Sequence, residues 1–106
     1  MSEAQVGAVF AALADPTRRT VVQSLSAGST VTASKLAQEL PITRQAVAKH
    51  LVALDQAGLV AAERQGRETR YRLTPAPLTE AASWMAAVGA QWDARLEALR
   101  SHLARR

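Results

Sequence analysis

The stretch Thr43–Val60, TRQAVAKHLVALDQAGLV, decides the fold because it predicts one short helix with two different faces. Thr43 is a strong N-cap residue, since its hydroxyl can accept from a free backbone N–H, and Gly58 is placed to end the helix. Val47, Leu51 and Leu54 fall within a narrow arc of the helical wheel. We therefore expect a helix whose aliphatic side is anchored in a core.

The opposite side of this helix carries polar and basic side chains: Gln45, Lys49, Val52 and Gln56, flanked by Arg44 and His50. A DNA major groove admits one helix, in which Gln can bond adenine and Lys or Arg can donate to guanine. For this helix alone, an ordinary solvated surface is an equally good interpretation. His50 has two further interpretations, packing at the helix flank or donation to a phosphate.

A second helix is predicted directly before this one. Thr32 can cap a helix over Ala33–Leu40, with Leu36 and Leu40 turned inward, and Pro41 stops it. The order helix, tight turn, helix over about residues 32–57 predicts a helix-turn-helix.

After Gly58 the hydrophobic period changes from that of a helix to that of strands. Leu59–Gln65 and Glu68–Leu73 flank Gly66-Arg67, where Gly at the first central position suits a two-residue hairpin turn. In the second segment Thr69, Tyr71 and Leu73 face one way and Glu68, Arg70 and Arg72 the other, the alternation of a strand with one solvent-facing side. Basic residues cluster on or beside this turn, and a projecting basic loop could grip the DNA backbone or minor groove. They are Arg64, Arg67, Arg70 and Arg72. Helix-turn-helix plus basic hairpin is a winged helix, and the combination favours DNA binding over a plain solvated surface.

Three more helices are expected around this unit. Residues 3–13 form a short amphipathic helix, Asp15-Pro16 starts a helix that runs to about Ser26, and residues 78–104 form the longest one. The terminal helices carry more apolar surface than the small core can cover, which predicts a homodimer. Its predicted interface residues are Val6, Val9, Phe10, Leu13, Trp84, Met85, Val88, Trp92, Leu96 and Leu99. Trp84 and Trp92 could instead line a small-molecule pocket.

Length and composition limit the other possibilities. With 106 residues, the chain has room for one modest core, so we expect a single, mainly helical domain over residues 1–106. A net charge of +4 and a pI near 10.7 favour a nucleic-acid partner. Without Cys, disulfides and thiolate metal sites are excluded, and the N-terminal residues resemble neither a signal peptide nor a membrane span. We expect a cytoplasmic protein with no membrane partner and no cofactor.

Three blocks of the sequence resemble the ArsR/SmtB family of bacterial transcriptional repressors: ALADPTRR (Ala12–Arg19), LAQELPITRQAVAKHLVALDQAGLV (Leu36–Val60) and GRETRYRLTP (Gly66–Pro75). The resemblance implies an operator-binding homodimer that pairs through its first and last helices, and whose DNA affinity often falls when an effector binds. Metal-sensing members place Cys residues in the helix that corresponds to Ala33–Leu40, and this chain has none there. Asp93, Glu97 and His102 on the last helix form a poor metal set, for which a solvated face is the favoured interpretation.

Taken together, these features predict a sequence-specific DNA-binding regulator, a repressor that binds a palindromic operator as a homodimer. The predicted DNA contacts are Thr43, Arg44, Gln45, Lys49, His50, Arg64, Arg67 and Arg70. The alternative is a winged-helix protein-interaction module whose DNA affinity is incidental. An enzyme is not expected, because no nucleophile–base pair or phosphate-cradling Gly loop is evident, and Tyr71 has no catalytic companion. The identity of any small-molecule effector stays open.

Overall fold

The computed structural model describes residues 2–105. Along the chain, the elements are α1 (Glu3–Leu13), α2 (Pro16–Gln23), β1 (Val31–Thr32), α3 (Ala33–Glu39), α4 (Arg44–Gln56), β2 (Val60–Gln65), β3 (Glu68–Leu73) and α5 (Ala76–Ala104). The sheet is antiparallel throughout, in the order β1-β3-β2. Five helices and a hairpin wing confirm the predicted winged helix.

Local signals set most of the element starts. The Thr43 hydroxyl accepts from the Ala46 N–H at 3.1 Å to cap α4, and the Thr32 hydroxyl caps α3 in the same way at 3.1 Å. The Asp15 carboxylate accepts from the N–H groups of Thr17 and Arg18, at 2.8 and 3.1 Å, to start α2. These caps satisfy donors that a helix leaves unpaired at its N-terminus.

A Schellman motif ends α4 and leads directly into the wing. Leu59 N–H donates to the Leu54 carbonyl, and Gly58 N–H donates to the Asp55 carbonyl, each at 2.9 Å. Gly58 has φ +77°, the left-handed conformation that this motif requires. Leu54 and Leu59 are both fully buried. The end of the polar helix and the base of the wing therefore share one core contact.

The core confirms the predicted anchoring of α4. Val47, Leu51 and Leu54 are completely buried, in contact with a cluster that includes Leu36 of α3 and Val21 of α2. Leu40, also predicted to face inward, is half-buried and packs at the edge of this cluster.

Two helix boundaries and one strand differ from the sequence prediction. α2 ends at Gln23 rather than near Ser26. The N–H groups of Ser24 and Leu25 donate to the carbonyls three residues before them, which is the hydrogen-bond spacing of a 3₁₀ turn and not of an α-helix. α5 begins at Ala76, two residues early, since a proline in the first turn loses a donor that is unpaired in any case. β1, only two residues long, adds a third strand to the predicted two-stranded hairpin.

The last helix extends well beyond the core. With 29 residues, α5 is about 44 Å long, and the described chain measures 71 × 26 × 23 Å. Near its start, α5 packs against α1, where the rings of Phe10 and Trp84 meet edge to face at 5.8 Å between centroids. Residues 89–100 are exposed along their whole length. A large part of α5 thus lies outside the hydrophobic core of its own chain.

Candidate nucleic-acid interface

The outward face of α4 is exposed, as the anchoring of its aliphatic side requires. Arg44, Gln45 and Lys49 project from the first two turns, and Val52 follows them at 57% exposure. The chemistry of this face is that of a groove-reading helix, because amide and cationic groups are presented near the helix N-terminus.

The fold brings the wing to the same side of the molecule as this face. An open cleft of about 430 Å³ separates the N-terminal ends of α3 and α4 from the wing, and Arg44, Gln45, Arg64 and Arg67 all line it. Four of the predicted contact residues therefore converge, although wing and helix are well separated in sequence. Lys49, His50 and Thr43 lie outside this cleft, on the body of α4 and at its cap.

The tip of the wing is a tight turn with an exposed cation. Gly66 has φ +61°, whereas Arg67 has no positive φ, which is the pattern of a type II′ turn. The Arg64 side chain folds back across the tip, where it donates to the Gly66 carbonyl at 3.1 Å and the Thr69 hydroxyl at 3.3 Å. The turn therefore holds Arg64 in place while Arg67 projects.

Arg70 lies in an environment that differs from the expected one. Its guanidinium donates through Nε to the Thr30 hydroxyl at 2.8 Å, through one terminal nitrogen to the Thr30 carbonyl at 3.0 Å, and through the other to Glu68 at 3.0 Å. Its side chain is 29% exposed. The alternation of β3 suggested a solvent-facing arginine, but the loop before β1 folds over this side of the strand.

His50 is half-buried on the flank of α4, beside α2. Its Nδ1 accepts from Arg18 Nε at 3.4 Å, so a neutral ring carries its proton on Nε2. Within residues 2–105 no buried side-chain nitrogen or oxygen lacks a partner, so Nε2 keeps contact with solvent. The ring can therefore donate outward.

Two arginines of α2 have a structural role that the sequence does not indicate. Arg18 donates to the Ala12 carbonyl at 3.3 Å and Arg19 to the Leu13 carbonyl at 2.7 Å, so both bond carbonyls at the C-terminal end of α1. The sequence spacing of these arginines after Asp15-Pro16 does not indicate this role, because the role depends on how α1 is oriented against α2.

The Asp15 carboxylate next to them has a pKa below its ordinary value. The main cause is the hydrogen bond from the Arg18 N–H, followed by a smaller opposing effect of burial and then by the hydrogen bond from the Thr17 N–H. The positive charge of His50, when the ring is protonated, and that of Arg18 also lower the pKa of Asp15. The ionised form is therefore favoured in the folded chain.

The predicted interface residues divide between the core and the surface. Val9 of α1 belongs to the hydrophobic core, Val6 is buried beside Phe10 and Trp84, and Leu13 is half-buried against the core. This differs from the expected free stripe on α1, because α2 and α5 already cover most of it. Of the predicted residues, the exposed ones are Phe10, Trp84, Met85, Trp92, Leu96 and Leu99, while Val88 is half-buried.

Within residues 2–105, no helix is both long enough and apolar enough to cross a membrane. The same part of the chain contains no group of three or more His, Cys, Asp or Glu side chains that could hold a metal ion. Asp93, Glu97 and His102 on α5 therefore do not form such a group.

Comparison with known proteins agrees with this architecture. Residues 13–62 match a family model described as a helix-turn-helix domain. The chain is similar to the transcriptional repressor SdpR of Bacillus subtilis (strain 168), with 34% identity over 77 residues, covering 73% of this chain and 84% of SdpR.

Solved structures give the same result. An ArsR-like transcriptional regulator from Rhodococcus sp. RHA1 is 45% identical, with a TM-score of 0.83 and 92% of each chain covered. The homodimeric winged helix-turn-helix DNA-binding domain of a possible ArsR-family regulator from Mycobacterium bovis, solved by NMR, is 27% identical, with a TM-score of 0.61 and 92% of each chain covered.

Proposed function

This chain belongs to the ArsR family of winged helix-turn-helix DNA-binding transcriptional regulators, and we propose that it represses transcription by binding a palindromic operator as a homodimer. One observation carries the proposal. The exposed polar face of α4 and the arginines of the wing border one cleft, while the aliphatic side of the same helix is fully buried.

In this proposal α4 lies in the major groove and reads base edges. Gln45 and Arg44 have the donors and acceptors for adenine and guanine, and Lys49 adds a cation one turn later. The Thr43 hydroxyl accepts from the helix N–H but keeps its own proton to donate to a phosphate. His50 would donate from Nε2 to the backbone beside the groove.

The wing supplies contacts that do not depend on sequence. Arg67 at the tip and Arg64 behind it would bind phosphates or enter the adjacent minor groove. Such contacts release counterions, so affinity should fall steeply as the salt concentration rises.

The dimer follows from the apolar surface that a single chain leaves uncovered. Trp84, Met85, Trp92, Leu96 and Leu99 are each about half exposed on α5. A second copy would cover this face, and the homodimeric relative from Mycobacterium bovis supports the assignment. A twofold axis would place two copies of α4 about 34 to 36 Å apart, one turn of DNA, which requires a palindromic site.

Repression would result from occupation of a promoter, in the cytoplasm where bacterial DNA is found. The similarity to a protein named as a transcriptional repressor supports this direction of regulation.

The test begins with selection of bound duplexes from genomic fragments and from a random-sequence pool. Gln45→Ala should cost roughly 1 to 3 kcal/mol on the preferred site and relax the preference at one base pair of each half-site. Arg67→Ala should weaken preferred and scrambled duplexes alike. Gln23→Ala, an exposed glutamine outside the interface, is the matched control. Equal binding of selected and scrambled duplexes by the wild-type protein would instead favour the protein-interaction module.

A further inference from the structure

The Arg70 guanidinium bonds within the chain through all three of its nitrogens. Each of its three nitrogens donates to a protein oxygen: two to Thr30 and one to Glu68, at 2.8 to 3.0 Å. A planar guanidinium held by three such bonds is fixed in orientation. Three of its five N–H groups are used in these bonds, and Arg70 is not among the residues that line the cleft between α4 and the wing.

These bonds join the wing to the loop between α2 and β1. The same loop accepts a backbone bond at the base of the wing, from Leu73 N–H to the Ser26 carbonyl at 2.9 Å. Its last residues continue into β1, where Thr32 pairs with Arg70. The loop therefore holds β3 at two points, and the Arg70–Thr30 contact is the one nearer to the tip.

Glu68 gives Arg70 a second role. This residue follows the tip of the wing and lines the cleft that also contains Arg44 and Arg67. A free carboxylate there would repel a DNA phosphate. Its ion pair with Arg70, at 3.0 Å, offsets that charge and holds the carboxylate back along β3.

We propose that Arg70 is a positioning residue for DNA binding, which acts through Thr30 and Glu68 to fix the wing tip and offset its negative charge, without itself donating to a phosphate. The inference rests on the proposed function, since it concerns how the same wing meets DNA.

The experiment measures affinity for the duplex enriched from the random-sequence pool, over a series of salt concentrations. Arg70→Ala removes all three bonds, whereas Thr30→Val removes only the hydroxyl that accepts from Arg70 Nε and keeps the Thr30 carbonyl. Arg67→Ala is the reference for a lost phosphate contact. The double variant Arg70→Ala/Glu68→Gln also removes the negative charge of Glu68, which the loss of Arg70 alone would leave unpaired. Circular dichroism and urea unfolding of each sample give the folded fraction, to which the affinities are normalised.

Arg70→Ala should reduce the affinity for the enriched duplex by roughly 2- to 30-fold, the range for a residue that acts through others. The slope of log affinity against log salt should stay unchanged, because no phosphate contact is lost. Thr30→Val should reduce it less. The double variant should recover part of the loss, which simple destabilisation of the fold would not produce.

Two results for Arg70→Ala would overturn the inference. One is an affinity equal to that of the wild-type protein. The other is a slope of log affinity against log salt that is smaller by about 0.9 for each copy of the residue on the DNA, the change expected for a lost phosphate contact and therefore for Arg67→Ala. Failure of the proposed function is a separate result, since the wild-type protein itself would then enrich no duplex.

Discussion

Leu99 provides the most direct test of the proposed dimer. It lies on the distal part of α5 and is 53% exposed in the single chain. Leu99→Ala removes three carbon atoms, and burial of each stabilises by about 0.8 kcal/mol. About half of this surface is exposed in the single chain, so the variant should lose roughly 1.2 kcal/mol of association free energy per copy. A twofold dimer contains the change twice, which gives roughly 2.4 kcal/mol and a roughly 50-fold higher dissociation constant.

Sedimentation equilibrium over a loading series that spans the monomer–dimer transition measures this change. Glu97→Ala is the matched control, because Glu97 is exposed on the same helix but points away from the apolar stripe. Alanine is a good helix former, so neither variant should weaken α5 itself. The reasoning is refuted if Leu99→Ala associates as tightly as the wild-type protein, or if the wild-type protein is a monomer throughout the series.

Three further predictions concern the fold. Leu51→Ala should lower the free energy of unfolding by about 2 to 5 kcal/mol because Leu51 is fully buried, whereas Val52→Ala on the exposed side of the same helix should change it by about 0.5 kcal/mol or less; urea unfolding compares them. Asp15→Asn keeps a capping side chain but loses the charge. Because the folded-state pKa of Asp15 is lowered, its contribution is present above the ordinary carboxyl pKa and lost as pH falls through the folded value, so the stability gap between wild type and variant should close in acid. Equal pH profiles would contradict this. Gly66→Ala should lower the unfolding temperature although its Cβ would meet open space, because φ is +61°; an unchanged melting curve would show that the turn adapts.

Features set by neighbouring residues could be predicted from the sequence. The caps at Asp15, Thr32 and Thr43 act over two or three positions, so the helix starts that depend on them were recognisable. The same holds for the turn at Gly66, where a single glycine supplies the required backbone conformation.

Features set by contacts between distant residues could not be predicted. Arg70 and Thr30 are 40 positions apart, and Arg18 and His50 are 32 apart, so no local pattern links them. An alternating strand marks Arg70 as outward-facing, and nothing in the alternation indicates that a loop covers that face. The stripe on α1 had the same ambiguity, since periodicity identifies an apolar face without saying whether it packs within the chain or against another copy.

The projection of α5 away from the core has a consequence for how such proteins diversify. The surface available for pairing is carried by a helix whose distal half touches neither α4 nor the wing, so substitutions there need not disturb the residues that face DNA. In a cell that holds two related chains, the residues that select the dimerisation partner and those that select the operator could then change independently. A heterodimer of the two chains would bind an operator whose two half-sites differ in sequence.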